Sequence, residues 1–306
     1  MITLSVNNEF SRLRKVILGI GDDFGGCPDI EGAYDPRSKE HILANTFPVE
    51  SDINSELTEL VNVFKKYQVD IFRPKNLKNC NQIFARDVGF VIEDQFFVSN
   101  MIKNRSLEII GLESILSQIE ISSINYLPDN IFIEGGDVVV SDNYLFVGFS
   151  NDTEFNQFQV SRTNRNAIDY LSAKFPNKKV IGFELNKSDT SSLQSCLHLD
   201  CCFQPLGLGH ILIHEDGFKF KNDLKIINDI FGKQNTININ KQEMSNMFAN
   251  IFSIDKNIVI SEKKFQRTNT FLLEKGYVVE QVKFSEISKM GGLFRCATLP
   301  LMRDYE

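Results

Sequence analysis

The hydrophobic and polar positions along the chain follow two periodicities, one typical of strands and one typical of helices. A first short strand fits Arg14–Ile20, and another fits Val69–Arg73. Between them we expect a helix that Ser51 or Asp52 could cap, because apolar residues recur there on one helical face. These residues are Ile53, Leu57, Leu60, Val61 and Phe64. The preceding segment, Gly21–Phe47, is rich in Gly, Asp and Pro and is expected to be a loop, a candidate lid over a site.

Four further segments each contain two β-rich runs around a polar turn, which is the pattern of a β-hairpin. They are Ala85–Asn100, Glu134–Ser150, His198–His214 and Asn246–Glu262. Helical patterns lie between and after them, near Ser106–Gln118, Asn164–Lys174, Asn222–Phe231 and Lys264–Lys275. Single strands are predicted at Val180–Leu185, Thr236–Ile239 and Tyr277–Phe284. A unit of hairpin, helix and strand therefore recurs along the chain.

The two ends of the chain each carry a strand without a hairpin partner. The last apolar run, Leu293–Met302, has no partner after it, and Arg14–Ile20 has none before it. Pairing the two would close the repeats into a ring and remove exposed strand edges. The sequence therefore predicts a radial α/β repeat. No Pro/Gly/Ser linker and no low-complexity tract interrupts it, so residues 1–306 are expected to form a single domain.

Composition and charge narrow the classes of function. The 306 residues carry a net charge of −7, which argues against a nucleic-acid or anionic-membrane surface. No run reaches the roughly 18–20 uncharged apolar residues of a membrane helix, and the N-terminus lacks the pattern of a signal peptide. Six cysteines without a Cys-x-x-Cys pair and only four histidines give little support to a metal site or a disulfide framework. We therefore expect a soluble, cytoplasmic protein without a cofactor.

Polar and charged residues open the hairpins in an otherwise apolar setting. Asp87 opens the first hairpin, Glu134 the second and His198 with Asp200 the third, while Cys296 precedes the closing strand. If all strands start at one end of a common axis, these groups converge there. Alternation along a strand would put His198 and Asp200 on the same face. Taken singly, each residue has an ordinary structural explanation as a buried histidine, a buried cysteine or a surface ion pair.

Taken together, the converging groups indicate a particular chemistry. A thiol nucleophile beside an acid–base imidazole requires an electrophilic carbon. Several carboxylates around the thiol would repel an anionic substrate and bind a compact cation. A guanidinium offers an electrophilic carbon together with planar N–H donors that match paired carboxylates. The residues therefore favour chemistry at an amidino carbon.

Seven stretches resemble the guanidino-group-modifying enzymes, which include arginine deiminases, dimethylarginine dimethylaminohydrolases and arginine:glycine-type amidinotransferases. They are NEFSRLRKVILG (8–19), FARD (84–87), MIKNRSLE (101–108), IEGGDVVV (133–140), VGFS (147–150) with SRTN (161–164), HLDCCFQPLG (198–207) and GGLFRCATLPLMRD (291–304). Their order and spacing cover almost the whole chain. The resemblance implies the family's five-bladed α/β propeller, or pentein fold, which agrees with the predicted repeat. It also implies that no metal is required.

The resemblance implies a role for each residue that matches the family's motifs. Cys296 would attack the guanidinium carbon and form a covalent S-alkyl thiouronium. His198 would protonate the departing amine and then deprotonate the second nucleophile. Glu134 would orient His198 and hold the guanidinium, while Asp87 and Asp200 would clamp its nitrogens. Binding of the cation beside Cys296 would itself favour the thiolate, because a nearby opposite charge lowers a thiol pKa.

Three arginines have less certain places in this scheme. Arg105 and Arg162 align with arginines that position the substrate carboxylate in the deiminases. Asn151–Val160 separates VGFS from SRTN, whereas deiminases run these pieces together, and this leaves the position of Arg162 open. Arg295 stands where the family often has His, and it could contact a substrate carboxylate or form an ion pair. Asp137 is expected to be structural and to shape the Gly-Gly turn.

Two enzymatic activities and one non-enzymatic role fit the resemblance. The Glu-Gly-Gly-Asp stretch looks like the hydrolases, and we therefore predict a hydrolase acting on arginine or a related small guanidino compound. NEFSRLRKVILG, HLDCCFQPL and FRCATL look as much like amidinotransferases, which would pass the amidino group to an amine acceptor. A catalytically silent binding protein on the same scaffold is the remote alternative. The expected partner is a small guanidino molecule, with no nucleic acid and no membrane, and family members are often homodimers.

Overall fold

Five three-stranded sheets follow one another along the chain in the computed structural model, which describes residues 1–304. The strands are β1 Leu13–Leu18, β2 Asp70–Phe72, β3 Gly89–Ile92, β4 Gln95–Val98, β5 Ile124–Tyr126, β6 Val138–Ser141, β7 Tyr144–Phe149, β8 Lys179–Glu184, β9 Phe203–Pro205, β10 Ile211–Ile213, β11 Thr236–Asn238, β12 Phe252–Asp255, β13 Ile258–Glu262, β14 Val278–Val282 and β15 Thr298–Arg303. The strand orders are β15-β1-β2, β3-β4-β5, β6-β7-β8, β9-β10-β11 and β12-β13-β14. In each sheet the first two strands are antiparallel and the third is parallel to the second.

A helical segment connects the second strand of each sheet to the third, as a parallel pair requires. The α-helices are α1 Pro36–Leu43, α2 Glu50–Lys66, α3 Ala85–Val88, α4 Glu113–Leu116, α5 Asp152–Gln157, α6 Asn166–Lys174, α7 Lys221–Phe231, α8 Lys241–Ser245, α9 Gln266–Glu274 and α10 Phe294–Ala297. The 3₁₀ helices are Lys103–Leu112, Ile121–Ser123, Gly135–Asp137, Ser192–Gln194, Leu199–Cys201, Glu215–Gly217, Lys233–Asn235 and Ile287–Met290. Within residues 1–304, the helices are all too short or too polar to cross a membrane.

The first sheet joins the two ends of the chain. β15 pairs with β1 in antiparallel register, from Leu13 opposite Arg303 to Leu18 opposite Thr298. β1 also pairs with β2 in parallel. The predicted ring closure between the N-terminal strand and the last apolar run is therefore confirmed, and the four predicted hairpins form β3–β4, β6–β7, β9–β10 and β12–β13.

Helix α2 confirms the predicted apolar face and corrects its start. Ile53, Leu57, Leu60 and Phe64 are buried against the sheets, and Val61 is half-buried. The helix is capped by Val49, whose side chain offers no hydrogen bond, so the predicted cap at Ser51 or Asp52 is wrong. Both residues lie in the first turn, where the carboxylate of Asp52 interacts favourably with the positive end of the helix dipole.

The helix predicted near Ser106–Gln118 is mostly a 3₁₀ helix, Lys103–Leu112, followed by the short α4. Side chains three residues apart are eclipsed in a 3₁₀ helix. This geometry suits Arg105 and Glu108, which form two hydrogen bonds with each other. At Gly111, an added Cβ would lie only 2.2 Å from the Gln82 side-chain nitrogen, so a larger residue there would displace the Gln82 amide.

Short helical turns stand immediately before the first strands of four sheets. They are Ala85–Val88, Gly135–Asp137, Leu199–Cys201 and Phe294–Ala297. The prediction that His198-Leu199-Asp200 runs along a strand is therefore wrong. The Leu199 N–H donates to Asp137 Oδ1 at 2.9 Å, and the Cys201 N–H donates to the His198 carbonyl at 3.1 Å, and these bonds curl the backbone into a turn. These turns place the charged residues of neighbouring sheets at one point of the ring.

Candidate active site

The five residues predicted to act on a guanidinium meet in the interior of the ring. The exposed fraction of each residue is 3% or less for Asp87, Glu134, His198, Asp200 and Cys296. They come from four different sheets, through the turns that precede β3, β6, β9 and β15. A buried cluster of three carboxylates, one imidazole and one thiol requires compensation from hydrogen bonds and opposite charges.

His198 and Glu134 form a buried acid–base pair. His198 Nε2 lies 2.9 Å from Glu134 Oε2, and Nδ1 lies 3.6 Å from Asp87 Oδ1. Burial alone would lower the pKa of His198, but the carboxylates of Asp87, Asp137 and Glu134 outweigh it and raise the pKa to about 9. The imidazole is therefore protonated at neutral pH and available as a general acid. Gly136 admits this packing, since a Cβ there would lie 2.6 Å from His198 Nδ1.

The Glu134 carboxylate also faces two arginines. Arg162 Nη1 donates to both of its oxygens, at 3.2 and 3.3 Å, and Arg105 Nη1 lies 4.0 Å from Oε2. Burial raises the pKa of Glu134, but Arg162, His198 and Arg105 overcome this and lower it to about 2. Glu134 is therefore ionised and can hold a cation while it orients His198.

The Cys296 thiol lies among carboxylates. Its Sγ is 3.8 Å from Asp200 Oδ2 and 3.2 Å from Asn250 Nδ2. Burial raises the pKa of Cys296 well above its ordinary value, and the charges of Asp200 and Asp87 raise it further. Without a bound cation the residue is therefore a neutral thiol at neutral pH. A cation placed between these carboxylates would remove most of the electrostatic cost of the thiolate.

Arg295 forms ion pairs with Asp200 and Glu9, which was one of the two hypotheses for this residue. It is fully buried, and its guanidinium donates to Asp200 Oδ2 at 2.8 Å and to Glu9 Oε1 at 2.9 Å. A further N–H donates to the Val138 carbonyl at 2.7 Å. These contacts engage the N–H donors of Arg295, and they do not favour the second hypothesis, that Arg295 contacts a substrate carboxylate. It fixes the orientation of Asp200 next to the thiol.

Replacing Glu9 by glutamine is expected to destabilise the protein by about 3–5 kcal/mol at pH 7, because it leaves the buried charge of Arg295 partly uncompensated. Burial raises the pKa of Glu9, but Arg295, Arg86 and Arg303 lower it to about 2, from an ordinary value of 4.5. A lowered pKa stabilises the folded state above pH 4.5, and this contribution disappears as the pH falls through 2.

Urea unfolding of Glu9→Gln and the unchanged protein at several pH values from 7 to 2.5 tests this prediction. The difference in unfolding free energy should be largest at pH 7 and shrink below pH 4.5. Glu59→Gln is the matched control, since Glu59 pairs with Lys263 at an exposed site and should change stability by less than about 1 kcal/mol. A Glu9→Gln effect that stays constant with pH would contradict the assignment.

Arg105 and Arg162 both lie beside the cluster, paired with acids. Arg105 Nη1 donates to Asp87 Oδ2 at 2.6 Å, and its other nitrogens donate to both oxygens of Glu108, at 2.7 and 2.8 Å. Arg162 Nη2 donates to the Tyr34 carbonyl at 2.9 Å. The Tyr34 ring lies 5.9 Å from the guanidinium carbon of Arg105 and 5.6 Å from that of Arg162.

The segment Asn151–Val160 separates VGFS from SRTN and left the position of Arg162 open. It forms a local loop that contains α5. Ser150 and Thr163 at its two ends are joined by a backbone hydrogen bond of 3.0 Å. The chain therefore returns to the site after this segment, and Arg162 contacts Glu134, while its role towards a substrate carboxylate stays a prediction.

The segment Gly21–Phe47, predicted to be a loop, contains helix α1 and forms part of the wall of a cavity next to this cluster. The cavity has a volume of about 620 Å³ and is lined by residues that include Tyr34, Asp35 and Glu108. The reactive groups do not line it; they lie behind Tyr34 and the two arginines. A role of this segment as a lid stays a prediction.

Asp87, Glu134 and His198 are the described residues that could hold a cation together, since their ligand atoms lie within 4.8 Å of one another. The same atoms already engage one another and two arginines. A planar guanidinium with several N–H donors fits such acceptors as well as a metal ion does.

Three residues of the site were missed by sequence reasoning: Asn250, Glu108 and Tyr34. The position of Asn250 in the repeat could have identified it as a site residue. It stands just before β12, the first strand of the fourth hairpin, as Asp87 stands before β3. Glu108 is the last residue of MIKNRSLE. Burial raises the pKa of Glu108 to about 7 despite its pairing with Arg105. Tyr34 lies in the loop, where no pattern distinguished it.

Known proteins resemble this chain in sequence. The sequence model of the family N,N dimethylarginine dimethylhydrolase, eukaryotic, matches residues 42–303. The uncharacterised protein YkgA of Bacillus subtilis is 29% identical over 253 residues, which are 82% of this chain and 80% of that protein. An arginine deiminase of Listeria monocytogenes is 25% identical over 263 residues, with 73% of this chain covering 62% of the deiminase.

Solved structures share the fold at low identity. The N-terminal domain of ArgZ, an arginine dihydrolase of cyanobacteria, superposes with a TM-score of 0.77 at 19% identity and covers 94% of this chain and 97% of its own. The inosamine-phosphate amidinotransferase StrB1 of Streptomyces griseus gives a TM-score of 0.77 at 16% identity, covering 100% and 98%. These matches confirm the predicted five-bladed α/β fold.

Proposed function

Because the chain belongs to the eukaryotic N,N dimethylarginine dimethylhydrolase family, within the pentein superfamily of guanidino-group-modifying enzymes, we propose that it hydrolyses a small guanidino compound through Cys296. The observation that carries the proposal is one buried cluster that holds the Cys296 thiol beside Asp200 and the protonated His198 beside Glu134. A nucleophile, a general acid and carboxylates for a cation are thus present in one closed site.

In the first half-reaction the guanidinium binds between the carboxylates of Asp87, Glu134 and Asp200. Its positive charge favours the thiolate of Cys296, whose proton passes to solvent. The sulfur bonds to the guanidinium carbon, and His198 gives its proton to the departing nitrogen as the C–N bond breaks. The products of this step are ammonia or an amine and a thiouronium on Cys296.

In the second half-reaction water replaces the amine. The neutral imidazole of His198 takes a proton from the water as its oxygen bonds to the thiouronium carbon. The C–S bond then breaks, which restores the thiolate, and the remaining hydroxyl proton passes to solvent as the neutral ureido product leaves. Arg105 and Arg162 would meet the carboxylate of an arginine-like substrate, and to do so they must exchange part of their present contacts with Asp87 and Glu134.

Guanidinium binding is expected to release about one proton at pH 7.5, because a cation next to Cys296 converts its thiol to the thiolate while His198 is already protonated. Isothermal titration calorimetry in buffers of different ionisation enthalpy measures this number. Cys296→Ser should bind the same ligand with almost no proton release. Binding whose enthalpy is independent of the buffer in the unchanged protein would contradict thiolate formation.

The experiment that tests the proposed function is mass spectrometry of the products from L-arginine, methylarginines and agmatine. Each is incubated with the protein in the presence and absence of glycine or another amine acceptor. A ureido product without acceptor supports the hydrolase. Product formation only with an acceptor would instead identify an amidinotransferase, which the HLDCCFQPL and FRCATL stretches also resemble. No turnover of any guanidine would favour a binding protein.

A further inference from the structure

Asn250 directs its side chain at the nucleophile. It is fully buried before β12, in the sheet that contributes none of the five predicted residues. Its Oδ1 accepts the backbone N–H of Cys296 at 3.1 Å, and its Nδ2 donates to the Cys296 sulfur at 3.2 Å. Its own carbonyl accepts the backbone N–H of Arg295 at 3.4 Å. The sheet β12-β13-β14 therefore supplies a residue that contacts the reacting atom.

The hydrogen bonds of Asn250 fix the orientation of its amide. A backbone N–H can only donate, so the side-chain atom opposite the N–H of Cys296 must be the amide oxygen. The NH₂ group is then necessarily the one that faces the sulfur. A thiolate is a better acceptor than a thiol, because hydrogen bonds to ionised groups are stronger than those to neutral ones.

Most of the other charged groups around the sulfur oppose the thiolate. The charged groups acting on it are Asp87, Asp200 and Arg295. The two carboxylates raise the pKa of Cys296, whereas Arg295 lowers it but is paired with Asp200 and Glu9. The backbone at Leu293 and the amide of Asn250, which donates to the sulfur, also favour the ionised form of Cys296.

We propose that Asn250 is a catalytic residue whose Nδ2–H stabilises the sulfur of Cys296 as a thiolate, both before attack and when the C–S bond breaks. Its role in turnover rests on the proposed function, whereas its effect on the thiolate does not. The Oδ1 contact with the backbone of Cys296 holds the donor in place. Loss of the donor should therefore act on the ionisation of the sulfur as well as on the rate.

The test is the pH dependence of Cys296 alkylation by iodoacetamide, measured by peptide mass spectrometry from pH 7 to 12 without substrate. Asn250→Ala removes the donor, and Asn250→Asp keeps an acceptor for the backbone N–H but replaces the donor by a carboxylate. The midpoint for alkylation should rise by about one to two pH units in the alanine variant and further in the aspartate variant. Asn250→Ser, which retains a hydroxyl donor, should lie between the unchanged protein and the alanine variant.

Asn269→Asp is the matched control, since Asn269 is a buried amide in α9 that donates to the carbonyl of Glu262. It should leave the midpoint unchanged. A purely structural role for Asn250 would change the plateau rate of alkylation or the stability but not the midpoint, and that result would overturn the inference. If the midpoints shift in the expected order while the unchanged protein turns over no guanidine, the inference stands and the proposed function fails.

Discussion

Replacing Cys296 by serine is expected to lower guanidine turnover by about 10⁴-fold or more, because a serine hydroxyl in this site is a far weaker nucleophile than a thiolate. Serine can keep the two hydrogen bonds to Asn250, so the free energy of unfolding should change by only about 1 kcal/mol. Steady-state turnover and urea unfolding, measured on the same preparation, separate the two effects.

Cys196→Ser is the matched control for this prediction. Cys196 is equally buried and free, but it packs against Cys202 and Gly217, away from the converging carboxylates. It should lose some stability and retain turnover. Activity in Cys296→Ser close to that of the unchanged protein would contradict the assignment of the nucleophile.

Replacing Glu134 by glutamine is expected to lower kcat at pH 7.5 by about 10²- to 10⁴-fold, because the amide neither holds the guanidinium cation nor orients His198, and it favours the protonated imidazole less. The pKa of His198, raised to about 9 by its carboxylate neighbours, should fall towards its ordinary value of 6.5. Donation to the leaving nitrogen requires the protonated imidazole, so activity declines as the pH rises through the pKa of His198. This decline should therefore begin at a lower pH in the variant.

The pH profile of kcat tests the role of Glu134 against general damage to the fold. Glu184→Gln is the matched control, because Glu184 is also largely buried and pairs with Lys219 and Asn151 outside the site. Its profile should be unchanged. If Glu134→Gln lost activity with the high-pH limb at its original position, Glu134 would not be the group that sets the protonation of His198.

The repeat of hairpins was predictable because its signals are local. Alternating apolar residues and polar turns mark each pair of strands, and the two unpaired runs at the ends pointed to the closure that β1 and β15 make. The helical turn Leu199–Cys201 was not predictable in this way, since three residues are too short for any periodicity. The pattern consequently suggested a strand there.

The site was predictable only where a motif marked it. Cys296, His198 and Glu134 stood in stretches that resemble a known family, whereas the contact between Glu9 and Arg295 joins residues 286 positions apart. Such a buried ion pair arises from ring closure and leaves no trace in the local pattern. Asn250 lies in a stretch without charge, and only its place before β12 relates it to Asp87.

The central claim is that Cys296 attacks a guanidinium carbon, and acid-quenched peptide mass spectrometry tests it most directly. The protein is mixed with a guanidine that it turns over, quenched within milliseconds to seconds, digested and sequenced. The account predicts an amidino-type adduct on the peptide containing Cys296, which disappears as substrate is exhausted and never forms in Cys296→Ser. Turnover with an unmodified Cys296 at every time point, or with the adduct on a different residue, would contradict it.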